Sequence, residues 1–337
     1  MDIALLAHER FPERAKTALG VLRYGDQRVR AVLDRANEGD RVRDHVTGVQ
    51  DAPIVASMAD VPEVDALVIG IAPIGGGFEE SWRADVRAAI ERDCDVIAGL
   101  HTFLADDEEF AALAAEHECE LRDLRRPPDD LTVADGTAGS VDADVVLTVG
   151  TDCSSGKMTA SYELRDAARE RGIDAAVVPT GQTGVLIEGW GIVVDRVVAD
   201  FAAGAVERLV ETAAADHDLL IVEGQGALGH PAYSGVTTSI LHGAQPDALV
   251  LCHVAGRNAV HGYEETVIPP VDAYADLYEC VAAPIRASEV VAGMCNTQSL
   301  DDEAAERAVA EYAADLGVPA TDPVRFGIDD ALLDAVL

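Results

Sequence analysis

The densest concentration of chemistry-bearing residues is the run Gly150-Thr151-Asp152-Cys153-Ser154-Ser155-Gly156-Lys157-Met158-Thr159. The apolar run Val145 to Val149 precedes it, and a helical pattern follows toward Arg171-Gly172. A buried strand feeding a glycine-bounded loop, with Gly-Lys opening a helix, is the arrangement that binds phosphate. Glycines let backbone N–H groups wrap the anion, the helix N-terminus adds partial positive charge, and the lysine neutralises it. The chain has two lysines, Lys16 and Lys157, so a lysine at this position is not incidental. Two features depart from the usual P-loop. One extra residue lies between the glycines, and Met158 stands where Ser or Thr would hold Mg²⁺. Thr159 and Asp152 are the substitute metal ligands, together with Glu223 further on, should a nucleotide bind. ATP, GTP and the ADP part of coenzyme A all offer a suitable phosphate. Cys153 sits where a helix N-terminus lowers a thiol pKa, so it reads either as a nucleophile or as a small loop residue.

Other candidates gather around this loop. Leu219 to Val222 is an apolar strand ending in Glu223-Gly224-Gln225-Gly226, which sets Glu223 beside the phosphates or makes it a simple strand cap. His230, in Gly229-His230-Pro231, is the best candidate general base, with a structural histidine as the plain alternative. Asp200, before a helix, reads as a third catalytic group or as that helix's cap. Thr180, Gln182 and Thr183 in Pro179-Thr180-Gly181-Gln182-Thr183-Gly184 suit a carboxylate or sugar, and Arg196 and Arg257 can hold a substrate carboxylate.

The elements that position these groups alternate. In the first third, strands at Ile3 to Ala7, Val29 to Leu33, Ala66 to Ala72 and Asp95 to Ala98 are separated by helices at Arg14 to Tyr24 and Trp82 to Glu91. Such alternation with short links predicts an α/β fold with helix-covered parallel sheets. A Rossmann-like domain is expected over residues 1–125, a Pro-, Gly- and Asp-rich linker over 126–142, and a P-loop NTPase-like domain over 143–337. No G-x-G-x-x-G follows the first strand, where Ala7-His8-Glu9-Arg10 stands instead. Asp34, at the end of the second strand, is then a weak nicotinamide signal. Lys16-Thr17-Ala18 and Gly75-Gly76-Gly77 read either as ligand contacts or as ordinary helix and turn residues.

Composition bounds the partners. The 337 residues carry 61 Asp plus Glu against 25 Lys plus Arg, a formal net charge of −36. That surplus repels phosphate backbones and anionic lipid, so nucleic acid and membrane are excluded as partners. Strong acidity with scarce lysine fits a halophilic, acidic proteome, where molar salt screens the self-repulsion. No apolar run reaches the length of a membrane helix and the N-terminus lacks a signal-peptide pattern, so a cytoplasmic protein is expected. The six cysteines lack C-x-x-C spacing and read as reduced thiols. A homo-oligomer is expected.

With Gly150-Thr151-Asp152, Gly156-Lys157 and Glu223-Gly224-Gln225-Gly226, the second domain resembles dethiobiotin synthetase-like P-loop proteins. Further segments extend the likeness to nearly the whole chain. They are Lys16-Thr17-Ala18, Arg23-Tyr24, Gly70-Ile71-Ala72-Pro73, Gly99-Leu100-His101, Thr180 to Gly184, Asp200-Phe201 and His230-Pro231. Together they resemble a two-domain family long catalogued as a domain of unknown function, which includes D-glutamate N-acetyltransferases acting beside an epimerase of the enolase superfamily. The resemblance implies transfer of acetyl from acetyl-CoA to the amino group of an acidic amino acid in D-amino acid metabolism. An ATP- and Mg²⁺-dependent ligase or kinase is the alternative.

Overall fold

A computed structural model describes residues 1–71 and 76–337. The chain folds into two units: Met1–Pro127 with Gln182–Arg196, and Pro128–Gly181 with Val197–Leu337.

In the first unit, strands β1 (Asp2–Leu6), β2 (Arg28–Leu33), β3 (Ile54–Val55), β4 (Ala66–Ile69), β5 (Asp95–Ala98) and β6 (Leu121–Asp123) form one parallel sheet in the order β3-β2-β1-β4-β5-β6. Residues 3–6 and 66–69 are buried without interruption, because helices cover both faces of a parallel sheet. The helices are α1 (Lys16–Tyr24), α2 (Arg83–Ile90) and α3 (Glu108–His117). Strand order reverses between β1 and β4, as in Rossmann-like folds. Ala72, Pro73, Ile74 and Gly75, which complete the segments Gly70 to Pro73 and Gly75 to Gly77, lie outside the described residues. The strand predicted to run to Ala72 ends at Ile69.

The loops of this unit are closed by their own polar groups. Asp34 is fully buried; its Oδ1 accepts from the Glu9 amide at 2.6 Å and its Oδ2 from Asn37 Nδ2 at 2.7 Å. Asp34 thus braces its own loop, buried and paired, and lends no support to the nicotinamide signal. Asp85 accepts from His8 Nε2 at 3.0 Å, the Met58 amide at 2.7 Å and Arg35 at 2.9 Å. Burial pushes the Asp85 carboxyl up, but these donors outweigh it and hold it below its ordinary value.

In the second unit, strands β7 (Asp144–Gly150), β8 (Ala175–Val178), β9 (Leu219–Val222) and β10 (Ala248–Val254) pair in parallel. Beyond a small antiparallel ribbon of β11 (Ala259–Val260) and β12 (Tyr263–Val267), strands β13 (Glu289–Asn296) and β14 (Ala320–Thr321) complete a sheet in the order β14-β13-β10-β7-β9-β8. Helices α4 (Lys157–Glu170), α5 (Gln182–Glu188), α6 (Ala199–Ala214), α7 (Ser234–Ala244), α8 (Val271–Ala282), α9 (Asp302–Leu316) and α10 (Asp330–Val336) follow in chain order. Helix α5 groups with the first unit instead. Arg125 donates through Nε to Gly99 O at 2.7 Å and through a terminal nitrogen to Gln182 Oε1 at 3.0 Å, and it pairs with Asp195. Thr17 and Thr183 hydroxyls meet at 3.0 Å. Sequence periodicity carried no sign of this exchange, because it depends on long-range partners.

Side chains of α6 and beyond hold the Pro-, Gly- and Asp-rich stretch. Glu207 of α6 accepts from the amides of Asp135 and Thr137, each at 2.6 Å. From Pro128 onward the stretch groups with the second unit.

Candidate active site

Strand β7 is central in its sheet and hands the chain to the glycine-rich loop at Gly150. The loop turns through Ser154 at φ +50° and Gly156 at φ +100°, the latter a left-handed conformation that favours glycine. Helix α4 then starts at Lys157, and its first intrahelical bond joins the Ala160 amide to Gly156 O at 2.8 Å. The amides ahead of Ala160 in that first turn therefore have no intrahelical acceptor and point along the helix axis toward the loop.

Lys157 is buried, and its ammonium donates to Asp152 O at 2.9 Å and to Ser155 Oγ at 3.3 Å. Its stem runs past Gly224, where an added Cβ would fall 3.2 Å from Lys157 Cδ and 1.8 Å from Thr148 O. Gly224 is therefore required by close approach: its amide donates to Thr148 Oγ1 at 3.2 Å, joining the ends of β9 and β7. Together the lysine, the helix start and the glycines fit a phosphate.

Asp152 and Arg257, read from sequence as a metal ligand and a carboxylate holder, are paired with each other. Asp152 is fully buried; its Oδ2 accepts from Arg257 at 3.0 Å and from the His261 amide at 2.9 Å, and its Oδ1 from the Cys153 amide at 2.7 Å. Arg257 also donates to Cys153 O at 2.9 Å. This ion pair locks the loop from inside, and its donors already occupy the carboxylate that would have joined Thr159 and Glu223 around a metal. Met158 is buried and Thr159 is half-buried, one position round the helix from the usual Ser/Thr. A nearer set, Asp152, Cys153 and His230, brings one ligand-type atom from each within 4.8 Å of one another.

Glu223, at the end of β9, is buried, and its Oε2 accepts from the Gly181 amide at 3.2 Å. The Thr180 hydroxyl donates to Glu223 O and receives from Gln225 Nε2 at 3.3 Å. Thr180 and Glu223 are thus brought together at the ends of β8 and β9. Gln182, Thr183 and Arg196 group with the first unit, where Arg196 lies over the Phe103 ring at 5.2 Å. Asp200 is exposed in the first turn of α6.

His230 is 2% exposed. Its Nδ1 accepts from the Ala232 amide at 3.1 Å, and its ring is held between Tyr233, tilted at 4.5 Å, and Tyr263, edge-on at 5.2 Å. Burial lowers its pKa and Lys157 adds to that, while Asp152 opposes it.

Two further residues, Tyr278 and Tyr274, escaped sequence reasoning. Tyr278 donates to Gly150 O at 2.8 Å and accepts from the Leu228 amide at 3.4 Å, and Tyr274 accepts from the Gly229 amide at 2.7 Å. They tie the phosphate loop to the His230 loop from one face of α8. Their four-residue spacing was the available signal. His253, on β10, meets Thr151 Oγ1 through Nδ1 at 2.9 Å, and burial with the Arg257 charge lowers its pKa to about 4.

Fold and site together define a two-part α/β protein, a Rossmann-like unit joined to a P-loop unit. The chain belongs to the DUF1611 family: residues 132–333 match its P-loop domain and 35–127 its Rossmann-like domain, each described as a domain of unknown function. It is 40% identical to a DUF1611 family protein of known crystal structure from Anabaena variabilis, with a TM-score of 0.95 over 99% of this chain and 98% of that one. It is also similar to two curated proteins named D-glutamate N-acetyltransferase. One, from Pseudoalteromonas sp, is 38% identical over 263 residues, 78% of each chain; the other, from Tritonibacter scottomollicae, is 40% identical over 275 residues, 80% of each. The chain is an enzyme of the N-acyltransferase class.

Proposed function

We propose that the protein transfers acetyl from acetyl-CoA to the amino group of D-glutamate. The observation that carries this reading is the identity of 38–40% with two relatives of that name over about four-fifths of the chain. The P-loop supports it chemically. Lys157 and the first-turn amides of α4 would hold a phosphate of the coenzyme, which supplies the acyl group as a reactive thioester. Glu223 is a buried carboxylate beside Thr180, suited to take the proton released as the amine attacks. Arg257 uses one terminal nitrogen on Asp152 and Cys153 O; a guanidinium carries five N–H donors, so others remain for a substrate carboxylate. Met158 in place of the usual Ser or Thr, and the three donors already on Asp152, disfavour the Mg²⁺-nucleotide alternative.

Among the described residues no helix is long and apolar enough to cross a membrane. The acidic composition supports a cytoplasmic enzyme of a high-salt organism.

Thiol release from acetyl-CoA in molar KCl, with D-glutamate, L-glutamate or no amine, tests the reading. Release that requires D-glutamate is expected. No release with any amine from folded protein would overturn it.

A further inference from the structure

The His230 ring has a fixed polarity. Its Nδ1 accepts from the Ala232 amide at 3.1 Å, and a ring nitrogen that accepts carries no proton. In the neutral ring the proton must then sit on Nε2. The Tyr233 and Tyr263 rings hold the imidazole in place, so it cannot turn over without losing both contacts and the Ala232 bond. A ring nitrogen lies within 4.8 Å of both an Asp152 carboxylate oxygen and Cys153 Sγ, which sets the ring over the phosphate loop. Besides those two groups, Lys157 and the two tyrosines are the charged or titratable neighbours.

Such a ring is poorly suited to two roles that its residue type suggests. With a proton on Nε2 it cannot take another there as a general base, and it cannot ligate a metal through that atom. It can donate. We propose that His230 acts as a neutral hydrogen-bond donor, through Nε2–H, to an anionic oxygen of the bound acyl donor, with the Ala232 amide fixing the tautomer. The oxygen is either a phosphate oxygen or the thioester oxygen as it gains charge during attack. Burial, which keeps the imidazole uncharged near neutral pH, favours this role. A neutral donor stabilises an oxyanion without surrendering its proton. This inference rests on the acetyl-transfer reading only for the identity of the acyl donor.

Two experiments test it. In ¹⁵N-histidine-labelled protein, the His230 signals, assigned by their absence in His230→Gln, should show the Nε2–H tautomer at neutral pH; the Nδ1–H tautomer would overturn the proposal. This readout needs neither acetyl-CoA nor turnover, so it survives failure of the acetyl-transfer reading. In acetyl transfer, His230→Gln retains an N–H near the Nε2 position but cannot act as a base. It should keep activity within about tenfold of wild type, with the same pH profile, while His230→Phe, which keeps the ring stacking, should lose about 100-fold or more. A loss in kcat assigns the thioester oxygen, and a loss in KM for acetyl-CoA assigns a phosphate oxygen. Folded His230→Gln as inactive as His230→Phe would overturn the donor role. If wild type transfers no acetyl group, weaker coenzyme A binding in His230→Phe than in His230→Gln supports donation to a phosphate oxygen, and equal binding overturns that assignment.

Discussion

The two units solve one problem, the exit of a central parallel strand, in opposite ways. In the first, β1 leads into Ala7-His8-Glu9, and the nearby carboxylate Asp34 is filled by the Glu9 amide and Asn37. In the second, β7 leads into Gly150, and a carboxylate is again filled from within, Asp152 by amides and Arg257. Both loops are therefore braced by a buried acid. What differs is what remains after bracing. In both units a lysine opens the helix that follows, Lys16 on α1 and Lys157 on α4, but Lys16 is exposed whereas Lys157 is buried among glycines that allow close approach. A buried acid at a strand end thus marks loop architecture; a glycine-rich turn around a buried lysine is what fits a ligand.

Breaking the second loop should reach activity first. Glu223→Gln should lower kcat/KM of acetyl transfer by about 100- to 10,000-fold with the fold intact, measured by thiol release alongside circular dichroism. Gly224→Ala drives a Cβ against Thr148 O and should destabilise the second unit by about 3 kcal/mol in urea unfolding. Lys157→Ala should cut kcat/KM by about 10- to 100-fold, the worth of a charge-assisted bond to phosphate. The mirror experiment in the first unit sharpens the contrast. Asp34→Ala leaves buried donors unpaired and should cost about 2 kcal/mol of stability while leaving kcat and KM unchanged.

The smallest effect is a pH slope. His253 has a folded pKa of about 4, below its ordinary value near 6.5, so the unfolded chain binds the proton first. Stability is then fully present above about pH 6.5, falls as pH drops toward 4, and stops falling on this account below it, with a slope of at most about 1.4 kcal/mol per pH unit. His253→Gln should flatten that part of the profile in thermal unfolding.

Much of this was legible along the chain. Strands Asp95–Ala98, Ala175–Val178 and Leu219–Val222 stand where their apolar runs begin and end, because strands buried on both faces are written as continuous apolar segments. The short edge strands β3, β6 and β14, two or three residues each, carried too little pattern to register. The site divides similarly. Gly150 to Thr159 was readable because one strand, one turn and one helix start are contiguous in sequence. The engagement of Asp152 by Arg257, 105 residues away, was not, and both had been read as reaching outward.

Sequence alone determined the two-part α/β architecture, the acidic composition and the P-loop, since these follow from local periodicity, composition and contiguous residues. Tertiary structure decided which polar groups face inward, that Gln182–Arg196 groups with the first unit, that Tyr274 and Tyr278 brace the loop, and which nitrogen of His230 accepts a bond. Each of those depends on partners brought close only by folding. A hydrogen bond is decided over about 3 Å in space, whatever the separation along the chain.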